Sequence, residues 1–570
     1  MRSRFSRRAL VLSWIFILGA GFLILRLYFV QIVNGDKYER DALGQYREAS
    51  PDTENRSDIF FKKKDGELVA AAVMQTGWRI AIQPKNLTGA NEMYEKLNAV
   101  LPVDKERFFA SAGKENDPYE EIAFRVSDSE AAAVRKLKIP GVILVQDRWR
   151  MYPAATLAAH AIGFVGYQGN KKVGVYGLER YYEDLLSRAS TGLYVNPFAE
   201  IFTSIESLLA KDPRTEEGDI ITSIEPSVEQ NLESVLEDIQ KAYEPKLAGG
   251  IIMNPRTGEI IAMAARPDFN PNTYSTVADH SVFGNPLVEA LYEMGSIMKP
   301  LTLAAAIDAG VITAGTTYND KGFIMKSGKK ISNFDGKARG VVSMQEVLNQ
   351  SLNTGASFAE ERMGHDTFAK YMYSYGLGEE TGIDLPNEVA GNIRAIERGV
   401  DVDYASASFG QGIAVTPIGM IRALGALANS GLLPEPHIAA AVRYESGIVR
   451  NVTTPTQKRV LKPETVETMA TMLTEVYDKA LLDGELKQEH YSIAAKTGTA
   501  QIGIPGGGGY YEDRFLHAFF GFFPSHDPKF IVFLYAVEPK KEIYASHTLA
   551  KPFLEIAKFL INYYNISPDR

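Results

Sequence analysis

Ser296-Ile297-Met298-Lys299 sets a hydroxyl and an amine three residues apart, and Lys496-Thr497-Gly498-Thr499 sets a second cation among small and hydroxyl-bearing residues. At a helical spacing of three, Ser296 and Lys299 share one face, close enough for the amine to take the hydroxyl proton and expose an oxygen nucleophile. Burial by Met298, Leu301 and Leu303 would push Lys299 towards its neutral, basic form, because desolvation disfavours the charge. The start of a helix also favours negative charge developing at the serine oxygen. In the second motif Thr497 and Thr499 would project from one face of a strand, while Gly498 leaves room for a ligand backbone to lie against it. That suits a substrate that adds as an extra strand and ends in a carboxylate. Between the two in chain order lies Ser351-Leu352-Asn353, whose hydroxyl and amide suit a proton relay and a grip on a peptide carbonyl. A second cation near Lys299 would depress that lysine's pKa further, which ties the motifs together electrostatically.

Ser-x-x-Lys alone says little, since Ser111-Ala112-Gly113-Lys114 and Ser327-Gly328-Lys329-Lys330 match it equally well. The Ser296 copy differs in context. Gly295 permits a tight turn into an apolar helical stretch, Ser296–Ala309, that ends at Gly310. Pro300 removes one amide from its first turn, for no reason legible in the sequence. Ser351 and Asn353 fall in a helical stretch, Gln345–Glu361, expected to break near Asn353-Thr354-Gly355.

The elements that must position these groups form an α+β pattern. Apolar runs Gly249–Met253 and Ile260–Ala264 flank Asn254-Pro255-Arg256-Thr257-Gly258, which reads as a hairpin. Strands are expected at Ile493–Gln501, Ala518–Phe523 and Phe530–Val537, with a glycine-rich connection at Gly506–Gly509 that is a candidate gate of the cleft. An amphipathic helix from Leu549 to Tyr564 would cover one face of a sheet assembled from both ends of this half. Upstream, Ile220–Ile224 reads as a buried strand and Ser227–Tyr243 as a helix, so a domain boundary is expected at 217/218. Residues 34–217 are mixed α/β in character, with a strand at Trp78–Ile82, a helix at Ser129–Leu137 and no catalytic set.

A chain of 570 residues exceeds one ordinary core, and 45 % hydrophobic with 23 % charged residues is the composition of a folded protein. A net charge of -9 argues against a nucleic-acid surface. The absence of cysteine excludes disulfides, thiolate zinc and a cysteine nucleophile, and the eight histidines show no helix-spaced ligand pair. No metal or organic cofactor is expected. Arg2, Arg4, Arg7 and Arg8 precede an apolar run from Ala9 to Val33, interrupted by Arg26, which is long enough to span a bilayer with some tilt. The basic flank places residues 1–8 in the cytoplasm and everything after 9–33 outside. No small-x-small site follows the run, so a cleaved signal peptide is not expected.

With its three motifs, the chain resembles a class B penicillin-binding protein, a monofunctional peptidoglycan D,D-transpeptidase. The resemblance extends through Arg56-x-x-Ile59, Asp65-Gly66-Glu67-Leu68, Leu157-Ala158-Ala159-His160, Gly163-Phe164-Val165-Gly166 and Gly177-Leu178-Glu179. It continues through Asn254–Glu259, Thr381–Pro386, Gly410-Gln411-Gly412 and Val415-Thr416-Pro417. The family's Gly-Arg-Ile-x-Asp-Arg-x-Gly pattern is replaced here by Arg56-Ser57-Asp58-Ile59-Phe60-Phe61-Lys62-Lys63-Lys64-Asp65-Gly66. The compact link from Gly166 to Gly177 and the absence of inserted loops are more similar to the division (septal) subtype. The resemblance implies a transmembrane helix at 9–33, a pedestal or dimerisation-type domain over 34–217 and a transpeptidase domain over 218–570. The latter would hold an antiparallel five-stranded sheet covered by helices, plus a helical subdomain.

The same resemblance implies a mechanism. Ser296 would attack the D-Ala–D-Ala carbonyl of a stem peptide, with Lys299 as base and Ser351 as proton relay. Asn353 would orient the donor amide, Lys496, Thr497, Gly498 and Thr499 would bind the terminal carboxylate end, and the amides of Ser296 and Thr499 would face the oxyanion. A second stem peptide would resolve the acyl-enzyme, and β-lactam antibiotics would trap it. Implied partners are the plasma membrane, a membrane-embedded glycan polymerase and divisome proteins, with no nucleic acid. A D,D-carboxypeptidase or β-lactamase would use the same groups with water as acceptor, and a β-lactam sensor would acylate without turnover.

Overall fold

The computed structural model describes residues 55–87, 89–114, 116–169, 171–187, 217–444, 446–453 and 456–570. The expected cytoplasmic segment 1–8 and membrane span 9–33 lie outside the described residues. Among the described residues, no helix is long and apolar enough to cross a membrane. The chain forms two compact units. The described residues of the smaller are Asn55 and those within Gln75–Trp149; those of the larger fall within Arg56–Met74, 150–187 and 217–570.

In the larger unit a five-stranded antiparallel sheet carries the functional motifs. Its strands are β1 (Leu247–Met253), β2 (Ile260–Arg266), β3 (Ala494–Gly503), β4 (Tyr510–Phe523) and β5 (Phe530–Val537). They lie in the order β3-β4-β5-β1-β2, so β3 is an edge strand. The β1–β2 hairpin turns through Asn254–Glu259, where the amide of Asn254 donates to the carbonyl of Glu259 at 2.9 Å. Successive side chains alternate between two buried faces, and the central strands therefore read as unbroken apolar runs. Phe519, Phe523, Val532 and Leu534 pack beneath the helices Pro226–Tyr243 and Ala545–Tyr563, through Leu232, Leu236, Phe553 and Ile556. Phe520, Phe522, Ile531 and Phe533 point the other way, into a core shared with Met298, Leu301 and Leu303. The first of those helices is fixed at its start by Glu225, which accepts from the Val228 amide at 2.8 Å, with Pro226 in the first turn.

The strand expected near Ile220 is present at Gly218–Thr222, but it does not join the five-stranded sheet. It pairs in parallel with Ile59–Lys62 and antiparallel with Ala439–Tyr444, a partner some 220 residues later in the chain. Beside this second sheet lies a buried ion cluster. Glu179, fully buried, receives Arg56 Nε and Arg150 Nε, each at 2.6 Å, and the Tyr152 hydroxyl at 3.2 Å. Arg56 also reaches Glu183 at 2.7 Å. Burial works against the Arg56 charge, but Glu179 and Glu183 outweigh it and hold its pKa above the ordinary arginine value. Glu179 is likewise held below the usual carboxylate range: burial opposes its charge, and the two guanidiniums overcome that.

In the smaller unit, Glu120–Val126 pairs antiparallel with the end of the strand Leu68–Ile82. The helices Ala90–Asn98, Lys105–Ala112 and Asp128–Leu137 contribute Leu97, Phe108 and Val134 to its core. The last of these starts at a capping box, in which Ser127 and Glu130 each satisfy the other's backbone amide.

Candidate active site

Ser296 sits in a 3-10 turn, Gly295–Met298, which feeds directly into the helix Lys299–Asp308. Pro300 lies in the first turn of that helix, where an amide has no acceptor within the helix, so its missing N–H costs nothing there. The turn is clamped from two sides. The Gly295 amide donates to the Gly410 carbonyl at 3.1 Å, and a side-chain carbon on Gly410 would fall 2.3 Å from the Gly295 oxygen. On the other side, a carbon on Gly498 would fall 2.7 Å from the Met294 oxygen and 3.2 Å from the Ile297 nitrogen. The expectation that Gly498 makes room for a ligand is therefore corrected on this face: the space is taken by the turn that carries Ser296. Glycine is needed there because two backbones touch.

The second correction concerns the break in the middle motif. The helices are Met344–Asn349 and Asn353–Met363, and the chain kinks at 350–352 rather than at Asn353-Thr354-Gly355. Ser351 adopts the left-handed conformation at φ 55°, which is costly for a residue other than glycine and aims its side chain away from the helical path. Gly355 breaks nothing. It lies buried inside the helix, where an added carbon would meet Val347 Cγ2 at 2.2 Å.

These elements bring the predicted groups together. Lys299 Nζ lies 2.9 Å from Ser296 Oγ, 2.6 Å from the Ser351 carbonyl oxygen and 3.1 Å from Ser351 Oγ. A neutral amine has two N–H donors and one lone pair. Donation to the two Ser351 oxygens leaves the lone pair for the Ser296 hydroxyl proton. Lys496 Nζ donates to Ser351 Oγ at 3.2 Å and to the Thr497 carbonyl at 3.3 Å, so Ser351 stands between the two lysines. Lys299 is fully buried and Lys496 nearly so, and no carboxylate lies within 4.0 Å of either amine among the described residues. Burial, and then the charge of Lys496, drive the Lys299 pKa well below the ordinary value. Burial alone brings Lys496 down to about 8.

Asn353 donates its amide to the Ser332 carbonyl at 2.9 Å, so that N–H is engaged by the cleft wall in this state. Thr499 Oγ1 accepts from the Ala545 amide at 3.1 Å, and Thr497 is half-buried on the same strand. Lys496, Thr497, Gly498 and Thr499 all lie on β3, paired to β4 on one side only. The outer edge of β3 carries backbone donors and acceptors in the geometry of a missing neighbour.

Two supporting groups escaped sequence reasoning. Asp320, nearly fully buried, accepts from Thr354 Oγ1 at 2.8 Å and from Asn333 Nδ2 at 3.0 Å, and fixes the helix start beside Asn353. Only its local contact with the Gly322 amide, an Asx turn, has a sequence signature. Glu293 accepts from the Tyr510 hydroxyl at 2.9 Å, linking the residues just before Ser296 to the end of the Gly506–Gly509 connection. Burial pushes the Glu293 carboxyl above its usual range.

The penicillin binding protein transpeptidase domain matches residues 248–558, and the penicillin-binding protein dimerisation domain matches residues 62–195. Stage V sporulation protein D of Bacillus subtilis is 29 % identical over 94 % of this chain and 82 % of its own length. The peptidoglycan D,D-transpeptidase FtsI of Buchnera aphidicola subsp. Schizaphis graminum is 25 % identical over 96 % of this chain and 93 % of its own. A crystal structure of penicillin binding protein 3 from Mycobacterium tuberculosis, complexed with aztreonam, superposes with a TM-score of 0.65 at 23 % identity. It covers 75 % of this chain and 92 % of that one. With a transpeptidase domain matched over more than half its length, around a serine and two lysines converging at an edge strand, the chain belongs to the penicillin-binding protein transpeptidase family.

Proposed function

We propose that the chain is a serine D,D-transpeptidase that cross-links peptidoglycan stem peptides, and that Ser296 is its nucleophile. The observation that carries this reading is the contact of one uncompensated, buried amine, Lys299, with both Ser296 Oγ and Ser351 Oγ. The donor peptide adds to the open edge of β3 with its terminal carboxylate towards Lys496, Thr497 and Thr499. Lys299 takes the Ser296 proton as the oxygen attacks the penultimate D-Ala carbonyl. Negative charge collects on the carbonyl oxygen, facing the amides of Ser296 and Thr499. Ser351, bonded to both lysines, passes a proton to the departing D-Ala nitrogen. Asn353 trades its bond to Ser332 for the donor amide. The amine of a second stem peptide then attacks the ester and forms the cross-link, and one of its protons passes through Lys299 to Ser296 Oγ as the C–O bond breaks. β-Lactams present the same carbonyl and carboxylate and are held as the ester.

The same reading assigns residues 9–33 to a single membrane span with the N-terminus in the cytoplasm. It assigns 34–217 to a pedestal and 218–570 to the extracytoplasmic catalytic domain. It places the protein in septal wall synthesis, alongside a glycan polymerase and divisome proteins; the short Gly166–Gly177 link and the relative named FtsI support this.

The test is acylation of the purified full-length chain by a fluorescent penicillin, with Ser296→Ala as the control. Label that persists for many minutes on the wild type and is missing from Ser296→Ala supports the reading. Label shed within seconds would instead indicate a hydrolase.

A further inference from the structure

Two exposed aromatic rings meet at the mouth of this cleft. Phe334 is 61 % exposed and Tyr544 46 %, yet their centroids lie 6.1 Å apart in an edge-to-face arrangement. They belong to opposite walls. Phe334 follows Ser332 and Asn333, which bond Asn353 Nδ2 and the Thr354 amide. Tyr544 precedes Ala545, whose amide bonds Thr499. Each ring is thus one or two residues from a group that contacts a candidate substrate-binding residue, and the rings touch across the space between Asn353 and Thr499.

The Phe334 segment is braced rather than loose. Asn333 and the Arg339 amide both bond Asp320, at 3.0 and 3.1 Å, and Arg339 pairs with Asp335 at 2.7 Å while its guanidinium sits 6.0 Å from the Phe334 ring. On the other side, Tyr544 also packs edge-on against His547 at 6.1 Å. Edge-to-face pairs are worth roughly 0.5–1.5 kcal/mol beyond the area they bury. A contact of that strength parts readily but closes again.

We propose that Phe334 and Tyr544 form an aromatic bridge over the donor site and select acyl donors by girth. The inference rests on the acyltransferase reading above. A donor strand laid along β3 lies between Asn353 and Thr499, beneath or between the two rings, so the bridge must part for it. A slender D-Ala–D-Ala terminus, with methyl side chains only, requires the smallest opening. A donor with a bulky acyl side chain requires a wider one and acylates more slowly for that reason.

The natural absence of cysteine makes the test clean. Phe334→Cys/Tyr544→Cys in the full-length chain is bridged by a short bis-methanethiosulfonate reagent, and acylation by a fluorescent penicillin is followed before and after reduction with dithiothreitol. The expected result is a fall of at least tenfold on cross-linking that reverses on reduction, with neither single-cysteine variant affected by the reagent. In parallel, Phe334→Ala and Tyr544→Ala should raise the second-order acylation rate for a bulky-side-chain cephalosporin about threefold or more. For benzylpenicillin the rate should change less than twofold. Acylation of the cross-linked protein as fast as after dithiothreitol treatment, or an unchanged ratio of the two antibiotics, would overturn the bridge. An unmodified chain that no β-lactam acylates would refute the acyltransferase reading, and the bridge with it.

Discussion

The larger unit buries two pairs of cations and treats them in opposite ways. Arg56 and Arg150 share Glu179, which meets one guanidinium with each carboxylate oxygen. Lys299 and Lys496 share only the neutral hydroxyl of Ser351. The first pair is buried together with an anion that meets both guanidiniums. The second is left uncompensated, and its pKa values fall. An ion cluster of the first kind holds a structure together, whereas amines of the second kind are set to exchange protons. Arginine suits the first role because it stays charged; lysine suits the second because burial alone can neutralise it.

The comparison breaks most sharply at Lys299. Lys299→Met should lower the rate of penicillin acylation by about 10³-fold or more, a general-base effect. Its denaturation midpoint should not fall, since no paired charge is orphaned. At the other site the effects reverse. Glu179→Gln removes the anion shared by two buried guanidiniums, leaving Arg56 with Glu183 and Arg150 with Asp58 at 3.8 Å, and should cost about 3–5 kcal/mol in urea unfolding, with the acylation rate of the folded fraction unchanged. A loss of acylation without loss of stability in Glu179→Gln would refute the division of roles.

Lys496 sharpens the contrast in both directions. Its folded pKa of about 8 lies below the ordinary 10.5, so the unfolded chain binds the extra proton more tightly. The penalty is complete below pH 8 and fades as pH rises from 8 to 10.5. Lys496→Met should therefore be more stable than wild type by roughly 1–3 kcal/mol at pH 7, by a margin that shrinks towards pH 10. Equal stability at both pH values would mean the charge is compensated after all. The smallest effect is on rate: acylation by a carboxylate-bearing penicillin should fall about tenfold per pH unit well above pH 8, as Lys496 loses its proton. A neutral ester of the same penicillin, with no carboxylate to bind, should show no such fall.

Much of the catalytic sheet was legible because its signals are local. The Asn254–Gly258 turn and the double-faced run Phe530–Val537 declare themselves within a few residues. The candidate site was legible mainly as a combination, since Ser111 and Ser327 offer the same spacing as Ser296 and only Gly295 and the apolar run after it set that copy apart locally. What stayed hidden depends on distant contacts. The parallel pairing of Gly218–Thr222 with Ile59–Lys62, the backbone approach that demands Gly498, and the grip of Asp320 on Thr354 each join segments that no periodicity connects. The kink falls at 350–352 and not at Asn353-Thr354-Gly355, because Gly355 is kept small by Val347 inside a continuous helix, a contact the local sequence does not reveal.

The position of β3 at the rim of its sheet has a further consequence. A row of unmade backbone bonds cannot tell a cell-wall peptide from any other extended chain, including a strand of a second copy or a partly unfolded neighbour. The feature that admits substrate is thus also the surface at which self-association would begin.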